Sequence, residues 1–142
     1  MQKTILITGC SSGIGLESAH ELKRQGFRVL AACRKSDDVT RMNQAGFTGV
    51  LLDLDDPESV ERAADEVIAL TENRLYGIFN NAGFGLYGPL STISREQMEQ
   101  QFSANFFGAH QLTMRLLPAM LPHGEGRIVM TSSVMGLIDR KS

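Results

Sequence analysis

The sequence predicts an α/β fold, a doubly wound parallel sheet with helices on both faces, built as one domain over residues 1–142. Two patterns lead there. Short β-rich runs alternate with helix-period segments from end to end, which implies right-handed crossovers between parallel strands. The strand runs are also mostly continuous in apolar residues, as expected of strands covered on both faces. At 142 residues the chain is long enough for one core burying ~68–70% of its unfolded surface and too short for two comfortable ones.

Lys3–Thr8, Arg28–Cys33, Thr48–Leu52, Tyr76–Asn80 and Arg127–Ser132 are the strand candidates. The first helix is expected from near Gly13 to Gly26, a natural residue for the left-handed position just past a helix. A second, weaker helix is expected over roughly Asp37–Ala45. In the third, Asp56 caps and Pro57 takes the first helical position, after which Val60, Ala63/Ala64, Val67 and Leu70 recur on one face. The longest opens at Ser94, where Ser-Arg-Glu-Gln forms a capping box. It carries Met98, Phe102, Phe106, Ala109, Leu112 and Leu116 as one stripe, and Pro118 and Pro122 are expected to end it. Repeats, linkers and low-complexity stretches are missing from the sequence.

Ligands of such sheets bind beyond the carboxyl ends of the strands, at the switch point. Between the first strand and the first helix lies TGCSSGIG, residues 8–15. Glycines at 9, 13 and 15 permit a tight turn and close backbone approach, and the helix start offers N–H groups and a positive dipole end to a phosphate. The turn reads as a dinucleotide loop spaced G-x-x-x-G-x-G; the bland alternative is a glycine-rich turn with no ligand. Gly9-Cys10-Ser11-Ser12-Gly13 also fits the G-x-S-x-G elbow of an α/β-hydrolase, with Ser11 as nucleophile. Against that reading, only one strand precedes the elbow, and its histidine, His110 or His123, could be nominated only by elimination. An NAD-binding protein usually places an acid about 20 residues past the loop. Here the second strand ends Ala31-Ala32-Cys33-Arg34, so the acidic position holds Cys33 and a cation follows. A guanidinium there can pair with a 2′-phosphate, which predicts NADP (NADPH) over NAD; the alternative is a solvated charge at a strand end.

The formal net charge of −2 and 21% charged residues recommend neither nucleic acid nor an anionic membrane as partner. No basic leader with a cleavage site opens the sequence and no apolar run approaches ~20 residues, so a cytoplasmic protein is expected. Cys10 and Cys33 lack metal spacing and read as small packing residues. His20, His110 and His123 also lack it, so no metal site is expected.

These features, with Asn80-Asn81-Ala82-Gly83 at the end of the fourth strand, resemble the short-chain dehydrogenase/reductase family. The family's T-G-x-x-x-G-I-G matches Thr8, Gly9, Gly13, Ile14 and Gly15, with Ser11 and Ser12 inside the turn, and the likeness runs from about residue 3 to 138. The resemblance implies a Rossmann-like sheet in the order 3-2-1-4-5 and hydride transfer between NADP and a small carbonyl or alcohol. The wording also resembles a bacterial branch of NADP-dependent reductases acting on aldehydes, and a homo-oligomer is expected. By the same resemblance Asp53 and Leu54 contact the adenine ring, Asn81, Ala82 and Gly83 line the cofactor cleft, Asn105 holds a water in a proton relay, and Ser133 donates to the substrate oxygen. Plainer readings stand beside these: Asp53 as a loop acid, Asn105 as a satisfied core amide, and Ser132 in place of Ser133.

The family's Tyr-x-x-x-Lys pair, which supplies the proton, is not matched: Tyr76 and Tyr87 are the only tyrosines and neither has lysine four residues on. The chain is therefore expected to be C-terminally truncated relative to the family and inactive alone. A non-catalytic NADP(H)-binding or interaction module is the alternative.

Overall fold

In a computed structural model of the chain, residues 2–81, 94–120 and 127–130 are described. The elements run β1 (Thr4–Thr8), α1 (Gly13–Arg24), β2 (Arg28–Cys33), α2 (Ser36–Gln44), β3 (Thr48–Leu51), α3 (Pro57–Thr71), β4 (Gly77–Asn80), α4 (Arg95–Phe102), a π-helical turn (Ser103–Gly108), α5 (Ala109–Met120) and β5 (Arg127–Met130). The strands form one parallel sheet in the order β3-β2-β1-β4-β5, as the resemblance implied. The chain winds outward from β1 to β3, then crosses back to β4, so the switch point falls between β1 and β4.

β1, β2 and β4 divide their side chains between two cores by period-2 alternation. Leu6, Leu30, Ala32, Val50 and Ile78 pack against Val60, Ala64 and Val67 of α3 and Leu112 and Leu116 of α5. On the other face Ile5, Ile7, Val29, Ala31 and Cys33 pack against Ala19 of α1, Met42 of α2 and Phe47. Both faces of β1 and β2 are thus dry, which is why their sequences read as unbroken apolar runs.

The helix ends follow from local chemistry. Asp56 accepts a hydrogen bond from Glu58 N at 3.0 Å, with Pro57 at the first helical position. The box at Ser94 closes both ways: Gln97 N donates to Ser94 Oγ at 3.1 Å, and Ser94 N to Gln97 Oε1 at 2.9 Å. At the end of α1, Gly26 takes φ +97, Phe27 N donates to Leu22 O at 3.0 Å and Gly26 N to Lys23 O at 3.0 Å. The same motif recurs after α2, where Gly46 has φ +95 and Phe47 N donates to Met42 O at 3.0 Å. In each case the glycine reverses the chain and the following Phe starts the return toward a strand.

Two expectations for the longest helix are corrected. It is not one regular helix, because the π-helical turn Ser103–Gly108 separates α4 from α5. A π turn takes more residues per revolution than an α turn, so a stripe counted at 3.6 residues slips out of phase across it. Ala109, Leu112 and Leu116 are buried as expected, but Phe106 is 61% exposed. Nor does Pro118 end the helix, since α5 continues to Met120 with Pro118 inside its last turn. The Pro118 ring lies on the exposed side, while Ala119 O on the buried side accepts a hydrogen bond from Leu75 N at 3.3 Å. Pro122 and the apolar run Phe84–Pro89 lie outside the described residues.

Candidate functional site

The carboxyl ends of β1 and β4 meet at the switch point and are stitched together. Ile7 pairs with Phe79 in register, and one step on, Asn81 N donates to the fully buried Thr8 Oγ1 at 2.9 Å. Asn81 Nδ2 reaches Gly9 O at 3.4 Å. Cys10 N donates to Ala32 O at 3.1 Å, which ties the same turn to β2. The turn between β1 and α1 is therefore braced from both neighbouring strands before any ligand is considered.

Its glycines do distinct work. Gly9 and Gly13 have φ of +71 and +62, a region that side chains with a Cβ enter at a cost. Gly15 has no such conformation; its constraint is space. A Cβ there would lie 2.6 Å from Asn81 Nδ2 and 2.9 Å from Gly9 C, so only glycine lets α1 start this close to β1 and β4. Ser11, Ser12, Gly13 and Ile14 are exposed in succession, and Gly15 behind them is buried. Ser12, at the helix cap, makes no side-chain capping bond, which leaves the first N–H groups of α1 turned outward. A rigid, glycine-lined turn that exposes an uncapped helix start has the donor geometry for a phosphate. Those residues fit the pyrophosphate of a dinucleotide.

Arg34 follows β2 beside this turn, its side chain 63% exposed. Its Nε lies 4.0 Å from Asp53 Oδ2, so the two residues expected at the adenosine end are neighbours. Asp53 is held in place: its N–H donates to Ser59 Oγ at 2.9 Å, and its Oδ1 accepts from Asp55 N at 3.0 Å. Leu54 is buried. A Cβ on Gly108 would sit 2.8 Å from Leu54 C and 2.9 Å from Leu54 Cβ, so the π-helical turn packs directly on the Asp53–Leu54 loop. The backbone of Asn105 lies in that same turn. Its side chain, like Ala82, Gly83 and Ser133, lies outside what the structure describes. Sequence reasoning missed the contact between Gly108 and Leu54 and the ion pair between Arg34 and Asp53; the glycine three residues past Asn105 was the available signal for the first.

Both thiols under the turn are inert by environment. Cys10 is fully buried, its Sγ donates to Ile7 O at 3.2 Å, and burial pushes its pKa up to about 12. Burial raises Cys33 as well. Of the histidines that could serve a Ser11 hydrolase, His110 is exposed in the first turn of α5 and His123 lies outside the described residues. His20 packs edge-on against Phe47 with centroids 5.1 Å apart.

A family model described as short chain dehydrogenase matches residues 3–142. The chain is 88% identical over 138 residues to "Uncharacterized oxidoreductase YbbO" of Escherichia coli strain K12, covering 97% of this chain and 51% of that protein. It is 37% identical over 137 residues to human "Retinol dehydrogenase 5", covering 93% and 43%. Among solved structures, a short-chain dehydrogenase from Streptomyces avermitilis superposes with a TM-score of 0.85 at 30% identity, covering 93% of this chain and 49% of that one. The chain spans about half the length of the curated relatives it matches.

Proposed function

This chain belongs to the short-chain dehydrogenase family, and on that premise we propose that it is the cofactor-binding part of an NADP-dependent oxidoreductase acting on a small carbonyl or alcohol. The observation that carries the proposal is the braced glycine turn at the β1–β4 switch point, with exposed Ser11–Ile14 and an uncapped α1 start. Thr8 and Asn81 fix that turn, Gly9, Gly13 and Gly15 shape it, and the N–H groups of the turn and of early α1 hold the pyrophosphate. Leu54 and Asp53 border the adenine, and Arg34 takes the 2′-phosphate, which favours NADP over NAD because Cys33 occupies the position where an acid would select NAD. When bound, the nicotinamide would supply or accept hydride at the substrate carbon in the complete enzyme. Ala82 and Gly83 line the cleft, Asn105 holds a relay water, and Ser133 donates to the substrate oxygen.

Relatives named for retinol, an alcohol, support the alcohol/carbonyl class, with an aldehyde as the reduced substrate. The 142 residues alone are proposed to bind without turning over, because neither Tyr76 nor Tyr87 is followed four residues later by lysine. A non-catalytic NADP(H)-binding module rests on that same observation. Self-association is part of the proposal, supported by the exposed Phe106, Phe107 and Met114 near and on α5. Unbridged Cys10 and Cys33 suit the reducing cytoplasm. Titration of the chain with NADPH and NADH, followed by nucleotide fluorescence, tests the reading. Saturable binding that prefers NADPH is expected; equal or inverted preference defeats the Arg34 assignment.

A further inference from the structure

We infer that Asp53 is a selectivity residue of the nucleotide site, whose anchored carboxylate competes with the 2′-phosphate of NADP(H) for the Arg34 guanidinium. The inference rests on the reading of Arg34 as the phosphate partner. Three hydrogen bonds fix the acid: Asp53 N to Ser59 Oγ at 2.9 Å, Asp55 N to Asp53 Oδ1 at 3.0 Å, and Asp56 N to Asp53 O at 3.1 Å. With Oδ1 engaged by the turn, Oδ2 is the oxygen left facing Arg34, 4.0 Å from Nε. The arginine is a long side chain, 63% exposed; the acid is 36% exposed and tethered through its backbone and carboxylate.

A phosphate that docks on Arg34 therefore arrives one guanidinium's width from a negative charge that cannot turn away. That distance lies within the Debye length of about 8 Å at physiological ionic strength, so the repulsion is felt. The guanidinium must also leave, or share, its partner. Both effects act on a nucleotide carrying the 2′-phosphate and spare one that lacks it. Asp53 thus limits the preference that Arg34 creates. The limit is of the size of one exposed ion pair, roughly two- to fivefold in affinity ratio.

The test compares dissociation constants of NADPH and NADH for the 142-residue chain and for its Asp53→Asn, Arg34→Ala and doubly substituted forms. Asparagine keeps an oxygen to accept from Asp55 N and removes only the charge. Any contact of residue 53 with the adenine is common to both nucleotides and cancels in their ratio. D53N is expected to raise the preference for NADPH two- to fivefold, less at higher salt, with no gain when Arg34 is absent. An unchanged or lowered ratio in D53N, with R34A abolishing the preference, overturns the inference and leaves the phosphate reading standing. A preference that survives R34A, or no saturable binding by the unsubstituted chain, overturns that reading and the inference with it.

Discussion

Substitution of Gly15 by alanine tests whether the turn is set by space, and its magnitude can be worked from the structure. The added Cβ would lie 2.9 Å from Gly9 C and 2.6 Å from Asn81 Nδ2, where ordinary contacts begin at 3.4 Å. The Gly9 backbone cannot rotate away as the Asn81 side-chain tip could, so β1's turn and the start of α1 must separate by roughly half an ångström or more. Overpacking of this kind costs about 1–3 kcal/mol. Loss of the hydrogen bond from Asn81 Nδ2 to Gly9 O, 3.4 Å long, adds about 1 kcal/mol at most. Gly15→Ala should thus lose about 1–4 kcal/mol in urea unfolding with an unchanged m-value. Nucleotide affinity should fall about tenfold or more, since 1.4 kcal/mol of lost backbone positioning suffices for that. Gly13→Ala is the comparison: nothing lies within 4 Å of its Cβ position, and only the φ of +62 resists, at about 1–2 kcal/mol. If Gly15→Ala proved as stable and as tight-binding as the unsubstituted chain, the spatial account of this glycine would be refuted.

Leu116, fully buried between α5 and the sheet, should cost about 2–5 kcal/mol on truncation to alanine, read as a lower urea midpoint. Asp56→Ala removes the α3 cap and should cost about 1 kcal/mol, with Asp56→Asn close to neutral in the same assay. Hydrogen bonds from Gln111 and Arg115 hold the Glu61 carboxyl below its ordinary 4.5. Its folded pKa is the lower one, so its contribution is present above 4.5 and is lost as pH falls through the folded value; Glu61→Gln should flatten that part of the acid limb of a stability–pH profile. Cys10, pushed up to about 12 and fully buried, should resist iodoacetamide at pH 8 in the folded chain and react promptly in urea. Rapid labelling of the folded chain would contradict its placement.

The features legible from sequence are those whose cause is local. Asp56-Pro57 and Ser94-to-Gln97 announce helix starts because the bonds they make are within four residues, and all of those bonds form. Gly26 was read as a helix terminator for the same reason, and Gly46 repeats its chemistry two elements later. The glycine turn is legible because Gly9 and Gly13 answer a backbone need that few other residues meet. Gly15 answers a different need, visible only once Asn81, 66 positions away in sequence (81 − 15), arrives beside it. The illegible part is long-range or depends on phase. Counting at 3.6 puts Phe106 on the buried stripe, and the π-helical turn, which brings Gly108 against Leu54, changes the count. Pro118 reads as a stop because proline breaks an isolated helix; inside the last turn of a helix already packed through Leu112 and Leu116, its ring faces outward and the helix continues. The pairing of Arg34 with Asp53 joins the ends of two strands and has no signature in either neighbourhood.

The turn at residues 8–15 is proposed to hold the phosphates of a nicotinamide dinucleotide. A two-dimensional 1H–15N spectrum of the labelled 142-residue chain, recorded as NADPH is added, tests it most directly. The amide signals of Gly9, Gly13 and Gly15 should shift together and saturate, while Gly26 and Gly46, at the far ends of α1 and α2, stay in place. Saturation with those three glycines unmoved, or no response at all, would contradict the account.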